Sequence, residues 1–253
     1  MEVEASREQS STTASVRSCA DRATKVKICG LTDFEMTRRV VKLRPDYIGF
    51  VFAPSRRQVQ PSCVKQWLLK LREEGDALQD LVGVFANPTR EELKQVLDEV
   101  PLTSVQLHGK GDTALLKWMK DHYDVQIWKT VPIIRADEHQ PRQSIAAAAA
   151  AYELDVQYAD VVLLDTHCPI QGGGSGKVFD WTVIPSYADQ LASLRLPLYI
   201  AGGLSPDNVG QVVREYNIDG VDVSSGVETN GVKDISKVEE FIERVRGNEH
   251  GKE

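Results

Sequence analysis

Leu-Tyr-Ile-Ala-Gly-Gly-Leu-Ser-Pro-Asp-Asn-Val, residues 198–209, starts apolar and turns abruptly small and polar. The first four residues read as a buried strand. Gly202 and Gly203 then allow a tight turn and a close approach of backbone to a ligand. Ser205 followed by Pro206 is a helix start, a capping hydroxyl before a proline at the first helical position. Strand end, glycine pair and helix N-terminus together form an anion site, because their exposed N–H groups point the same way. Gly-Val-Asp-Val-Ser-Ser-Gly at 220–226 repeats the design, a short strand opening into small residues whose amides can wrap a phosphate. Two such strand ends late in a chain match the phosphate site of an eightfold barrel, so any chemistry belongs on the other strand ends of the same rim.

Working outward, β-rich runs at 26–29, 47–52, 81–85, 104–107, 126–130, 161–165, 198–201 and 220–224 are each followed by a helix-length segment. The runs are nearly all apolar, as strands covered on both faces should be. Asp33 can cap a helix carrying Phe34, Val40 and Val41. Thr89 with Glu92 forms a capping box ahead of the apolar stripe Leu93, Val96, Leu97 and Val100. An alanine-rich helix begins near Ser144, and a last helix carries Val238, Phe241, Ile242 and Val245. Eight βα units predict an α/β fold, a single-domain (β/α)8 TIM barrel, with a doubly wound open sheet as the fallback.

The 253 residues are 42% hydrophobic and 26% charged, enough for one sizeable core. A net charge of −7 argues against nucleic-acid or membrane partners, and no apolar run is long enough to span a bilayer. Cys19, Cys29, Cys63 and Cys168 have no CxxC spacing and read as reduced thiols, which places the protein in the cytoplasm. Residues 1–24 are rich in Ser, Thr, Ala, Arg and Glu, and are expected to be a disordered tail. A transit peptide, and with it an organelle, is the alternative; Glu2, Glu4 and Glu8 weigh against it. The barrel is expected over 25–247, with a short polar tail at 248–253.

Polar residues at the C-terminal ends of the strands are Cys29, the Arg56-Arg57 pair, His108, Lys129, Asp165 and Asp222. Alternation along the strands selects the inward ones: Cys29 inward puts Val26 and Ile28 against helices, and Asp165 inward does the same for Val162 and Leu164. A buried cysteine is usually a small hydrophobe, but Cys29 sits at the rim directly before Gly30. Asp165 closes an apolar strand, where an unpaired carboxylate is costly; a helix cap is its bland alternative. His108 could equally satisfy backbone groups. Lys27 shares the inward parity of Cys29 and should pair with Asp222 on the eighth strand, a pair that could be structural. An arginine at the rim suits a carboxylate. A thiol and a carboxyl on different strands beside a phosphate anchor suit proton transfer on a sugar phosphate. His108, His122, His139 and His167 lack metal-ligand spacing, and the glycines at 172–174 and 176 lack Walker spacing, reading instead as a mobile lid or a close approach to substrate.

Taken in order, Lys27-Ile28-Cys29-Gly30, Gly49-Phe50-Val51-Phe52, Gly83-Val84-Phe85, Gln106-Leu107-His108-Gly109, Leu164-Asp165-Thr166, Gly173-Gly174-Ser175-Gly176-Lys177, Phe179-Asp180-Trp181, Gly202-Gly203-Leu204 and the run from Asp222 to Glu228 resemble the phosphoribosylanthranilate isomerases of tryptophan biosynthesis. The resemblance covers about residues 25–247. It implies an Amadori rearrangement of N-(5-phosphoribosyl)anthranilate to 1-(2-carboxyphenylamino)-1-deoxyribulose 5-phosphate, with no metal or organic cofactor. It further implies Cys29 as general base and Asp165 as general acid. Arg57, or its neighbour Arg56 because the preceding loop is one residue short, would grip the anthranilate carboxylate. Gly202, Gly203, Ser224 and Ser225 would hold the phosphate, with Gly174, His108 and Asp222 also lining the substrate. The protein is expected to be a monomer or a homodimer.

Two other readings compete with this one. The histidine-pathway ribonucleotide isomerase performs the same rearrangement, but it is built from two similar half-barrels with acidic residues at both catalytic strand ends. A non-catalytic protein on the same fold would be expected to have lost Cys29 or Asp165.

Overall fold

A computed structural model describes residues 23–109, 112–133, 158–166 and 180–247. The expected N-terminal tail up to residue 22, the alanine-rich helix, the glycine segment with Gly174, and residues 248–253 lie outside the described residues, as do Cys19, Cys168, His139 and His167.

Eight parallel strands close into a barrel in sequence order, β1 through β8, with β8 returning to β1. The units run β1 (Lys25–Cys29), α1 (Phe34–Lys42), β2 (Tyr47–Val51), α2 (Pro61–Glu73), β3 (Asp80–Ala86), α3 (Arg90–Glu99), β4 (Ser104–His108), α4 (Thr113–His122) and β5 (Gln126–Ile133). They continue with β6 (Val161–Thr166), α5 (Ile184–Ser193), β7 (Leu198–Ile200), α6 (Pro206–Glu215), β8 (Gly220–Val223) and α7 (Ile235–Gly247). The (β/α)8 expectation holds, and the open sheet is excluded by the closing pair Lys27 to Asp222.

Local chemistry starts the helices where the sequence says. Asp33 accepts from the Met36 N–H at 2.8 Å, and Thr89 and Glu92 cap each other's backbone at 3.2 and 2.7 Å. Strand β5 is longer than expected, because its ladder with β6 continues to the pair Ile133–Thr166. Its length is set by the neighbouring strand rather than by its own composition.

The core has two layers. Outward-facing residues such as Val26, Ile28, Val162, Leu164, Ile200 and Val221 pack against the helices, including Val238, Phe241 and Ile242 of α7. Inward-facing Tyr47, Val82, Trp128, Val161, Leu163, Tyr199 and Ala201 fill the barrel itself. Trp128 meets Tyr47 edge-on at 4.9 Å and Tyr199 at 4.6 Å between ring centroids, so the interior is plugged rather than open.

Candidate active site

The inward register that puts aromatic rings low in the barrel puts polar groups at its upper end. On β1, Lys27 and Cys29 share the interior face. Lys27 is fully buried and lies 3.0 Å from the Asp222 carboxylate, the cross-strand pair expected from parity. Burial opposes the Lys27 charge, but Asp222 and Cys29 outweigh it and raise its pKa. Gly49 leaves room for the thiol: a Cβ there would stand 2.9 Å from Cys29 Sγ and 3.3 Å from Lys27 Cε. Burial pushes the Cys29 pKa up, while the adjacent Lys27 ammonium pulls the other way.

Asp165 comes from β6, half-buried at the rim. Burial, and then the nearby Asp222 charge, push its carboxyl up to about 7, against the Thr166 N–H and Lys27. Gly202 turns directly over it with φ +80°. A Cβ at that position would strike Thr166 and lie 2.9 Å from Asp165 Oδ1, so only glycine fits. Gly203 follows with φ +71°. The Asn208 side chain ties this loop to the start of α6, accepting from Ser205 N–H and donating to the Gly203 carbonyl, both at 2.9 Å. The Ser224-Ser225 segment lies on the adjoining strand end, where Ser224 Oγ donates to the Cys29 carbonyl at 3.1 Å.

His108 and Gln106 project inward from β4. The Gln106 amide nitrogen lies 2.8 Å from His108 Nε2 and 3.4 Å from Thr130 Oγ1. Burial, Lys27 and Lys129 lower the His108 pKa to about 4, so the ring is neutral near pH 7 and its Nε2 accepts from Gln106. Lys129 does not belong with the rim groups. It alternates with inward Trp128 and Thr130 and faces outward, its ammonium donating to the Gly109 carbonyl at 2.9 Å. Among the described residues no group of three or more His, Cys, Asp or Glu is placed to hold a metal ion.

The loop after β2 carries Arg57 over the end of the neighbouring strand β1, where its Cδ would be 2.5 Å from a Cβ on Gly30. Its Nε and Nη2 then grip Glu228 at 2.7 and 3.1 Å. Arg56 reaches the same carboxylate at 2.6 Å but is half exposed, and Lys233 reaches it at 2.9 Å. Glu228 and Lys233 have no assigned role in the sequence reading. A signal for them exists: Asn230-Gly231 is a two-residue hairpin turn, with φ +52° and +83°, that sets β9 (Glu228–Thr229) against β10 (Val232–Lys233). Cross-strand pairing then brings the two charges together.

Comparisons with known proteins agree with this fold. A family model described as N-(5'phosphoribosyl)anthranilate (PRA) isomerase matches residues 26–244. The chain is 39% identical over 227 residues to the N-(5'-phosphoribosyl)anthranilate isomerase of Brevibacillus brevis, covering 89% of this chain and 95% of that one. It resembles the structure of monomers generated from the dimeric enzyme of Thermotoga maritima, with TM-score 0.68, 32% identity, and coverage of 88% of this chain and 99% of that one. A further match is an isomerase in complex with reduced 1-(o-carboxyphenylamino)-1-deoxyribulose 5-phosphate, with TM-score 0.67, 31% identity and the same coverage. The chain belongs to the N-(5'-phosphoribosyl)anthranilate isomerase family, enzymes of tryptophan biosynthesis.

Proposed function

We propose that this enzyme converts N-(5-phosphoribosyl)anthranilate to 1-(2-carboxyphenylamino)-1-deoxyribulose 5-phosphate by acid–base catalysis between Cys29 and Asp165. The observation that carries the reading is that both groups sense the same buried Lys27–Asp222 pair while one carboxyl titrates at about 7. A carboxyl poised there can give a proton at neutral pH, and it protonates the ribose ring oxygen as the furanose opens. The Cys29 thiolate, which the adjacent Lys27 ammonium favours against burial, takes the proton from C2 and becomes the thiol. The proton gained at one end and lost at the other leaves the substrate's composition unchanged, as an isomerisation requires.

The phosphate rests on the amides of Gly202, Gly203, Ser224 and Ser225, between two strand ends where small residues permit close approach. Arg57 takes the anthranilate carboxylate. Its Nε edge is occupied by Glu228, but its Nη1 and the outer Nη2 hydrogen remain to form a second bidentate contact. His108 and Asp222 complete the polar lining, and Gly174 belongs to the same proposal. The described cysteines, Cys29 and Cys63, are free thiols, and no helix among the described residues is long and apolar enough to cross a membrane. Thiols kept reduced suit a cytoplasmic setting, which is part of the proposal, as is a monomer or homodimer.

The test follows loss of substrate fluorescence together with identification of the ribulose product, with an enzyme-free control for spontaneous hydrolysis. Cys29→Ala and Asp165→Asn should each lower kcat by about 10²–10⁴-fold while leaving the fold intact. Wild-type turnover in Cys29→Ala would remove Cys29 from the mechanism.

A further inference from the structure

The Glu228 side chain is only 5% exposed, yet three cations converge on it. Its Oε1 accepts from Arg57 Nε and Lys233 Nζ, and its Oε2 from Arg56 and Arg57 Nη2. Those four donors match the acceptor capacity of one carboxylate. Burial favours the protonated form, but the hydrogen bonds from Arg57 and Lys233 outweigh it and hold the pKa near 2, so the group stays ionised. Lys233 is itself buried and donates to the Ser224 carbonyl at 3.0 Å and towards Ser224 Oγ at 3.3 Å. The hairpin that carries Glu228 and Lys233 is thereby fastened to the small-residue loop after β8 and, through Ser224, to the end of β1. Arg57 arrives from the loop after β2, the strand that flanks β1 opposite β8. Without an anchor, its long side chain would have to lose its rotamer freedom on meeting substrate.

We infer that Glu228, held by Lys233, is a positioning residue that fixes the Arg57 guanidinium side-on and so turns its free edge toward the substrate's carboxylate. This rests on the reading of Arg57 given above. Three cations share a single carboxylate, so the cluster keeps a surplus of positive charge for an incoming anion. Glu228 acts on substrate through Arg57 alone and makes no contact of its own.

The experiment measures Kd by calorimetry for two probes: reduced 1-(2-carboxyphenylamino)-1-deoxyribulose 5-phosphate, and its phenylamino counterpart lacking the carboxylate. The readout is the ratio of the two constants. Arg57→Ala should collapse that ratio. Glu228→Gln, with Arg57 present, should cut it by about tenfold or more, because a misaimed fork forfeits a bidentate contact, while the phenylamino probe binds within about twofold of wild type. Glu228→Asp keeps the buried charge but cannot span both Lys233 and Arg57; it should cut the ratio too, and it serves if the Gln variant does not fold. If both probes weaken alike, Glu228 merely supports the fold and the inference is overturned. If Arg57→Ala loses the ratio while both Glu228 variants keep it, the inference falls and the role of Arg57 stands. If Arg57→Ala keeps the ratio, the role of Arg57 falls and the inference with it.

Discussion

The two ends of the barrel interior are built by the same strands, two residues apart, and are chemically opposite. On β6, Val161 and Leu163 sit in the aromatic plug while Asp165 stands at the rim; Tyr199 of β7 lies in the plug, and Gly202, just beyond that strand, turns over Asp165. The lower layer is buried and close-packed around Trp128. The upper layer gathers Lys27, Cys29, Gln106, His108, Asp165 and Asp222, groups whose burial shifts their pKa values or requires partners. The difference teaches a division of labour: close packing below supplies the stability against which costly polar burial above can be sustained. Lys27 is the seam between the two. It is fully buried with its ammonium 6.0 Å from the Trp128 ring and 3.0 Å from Asp222.

The largest expected effect that sharpens this division is the loss of turnover in Cys29→Ala and Asp165→Asn with the fold retained; a collapse of unfolding free energy in either variant would break it. Trp128→Ala should do the reverse. It empties the plug and should cost about 3–5 kcal/mol in denaturant unfolding, while product-analogue affinity well below the midpoint stays near wild type. A collapse of affinity alongside stability would show that the layers are not separable.

Lys27→Met attacks the seam and should touch both properties. It leaves the Asp222 carboxylate buried without its cation, a loss of about 3 kcal/mol or more in unfolding free energy. It also removes the charge that draws the Cys29 pKa down, so the alkaline limb of the pH–kcat/KM profile should move to higher pH. A profile unchanged in this variant would separate Lys27 from the thiol.

The pH dependence of stability that Asp165 confers is the smallest effect and has the sharpest sign. Its folded pKa of about 7 lies above the ordinary 3.8, so the native state binds the proton more tightly than the unfolded chain. Stability is therefore favoured at low pH and falls as pH rises from about 4 to about 7. Asp165→Asn should remove that slope and gain about 1–2 kcal/mol at pH 8, less than a fully buried carboxyl would because the rim is partly solvated. Urea unfolding of both proteins across pH 4–8 checks this; parallel curves would show that the carboxyl is not perturbed. In wild type the same group should give kcat/KM a limb near pH 7.

Much of this architecture is legible in the chain because it is local. Period-two alternation separates Val162 and Leu164 from Asp165, and capping chemistry at Asp33, Thr89 and Ser205-Pro206 marks the helix starts. The pairing of Lys27 with Asp222 follows once the barrel is closed by counting eight strands. Lys129 shows where a list of polar strand ends fails: position near the rim says nothing about facing, and its parity with Ile127 and Val131 sends it outward. Glu228 ends a motif legible in the chain, but its role is not, because its partners Arg57 and Arg56 lie 171 and 172 residues away.

By itself, then, the sequence determined the eight strands, their inward and outward faces, and the glycines where backbone must come close. Each of these is set by neighbours along the chain: the pleat, the cap, the turn. Only the tertiary structure decided the extension of β5 along β6, the pushing of Asp165 to about 7, and the gathering of Arg56, Arg57 and Lys233 around one carboxylate. Those features depend on barrel closure and on burial, which bring distant residues together and remove the water that would otherwise make their charges indifferent to one another.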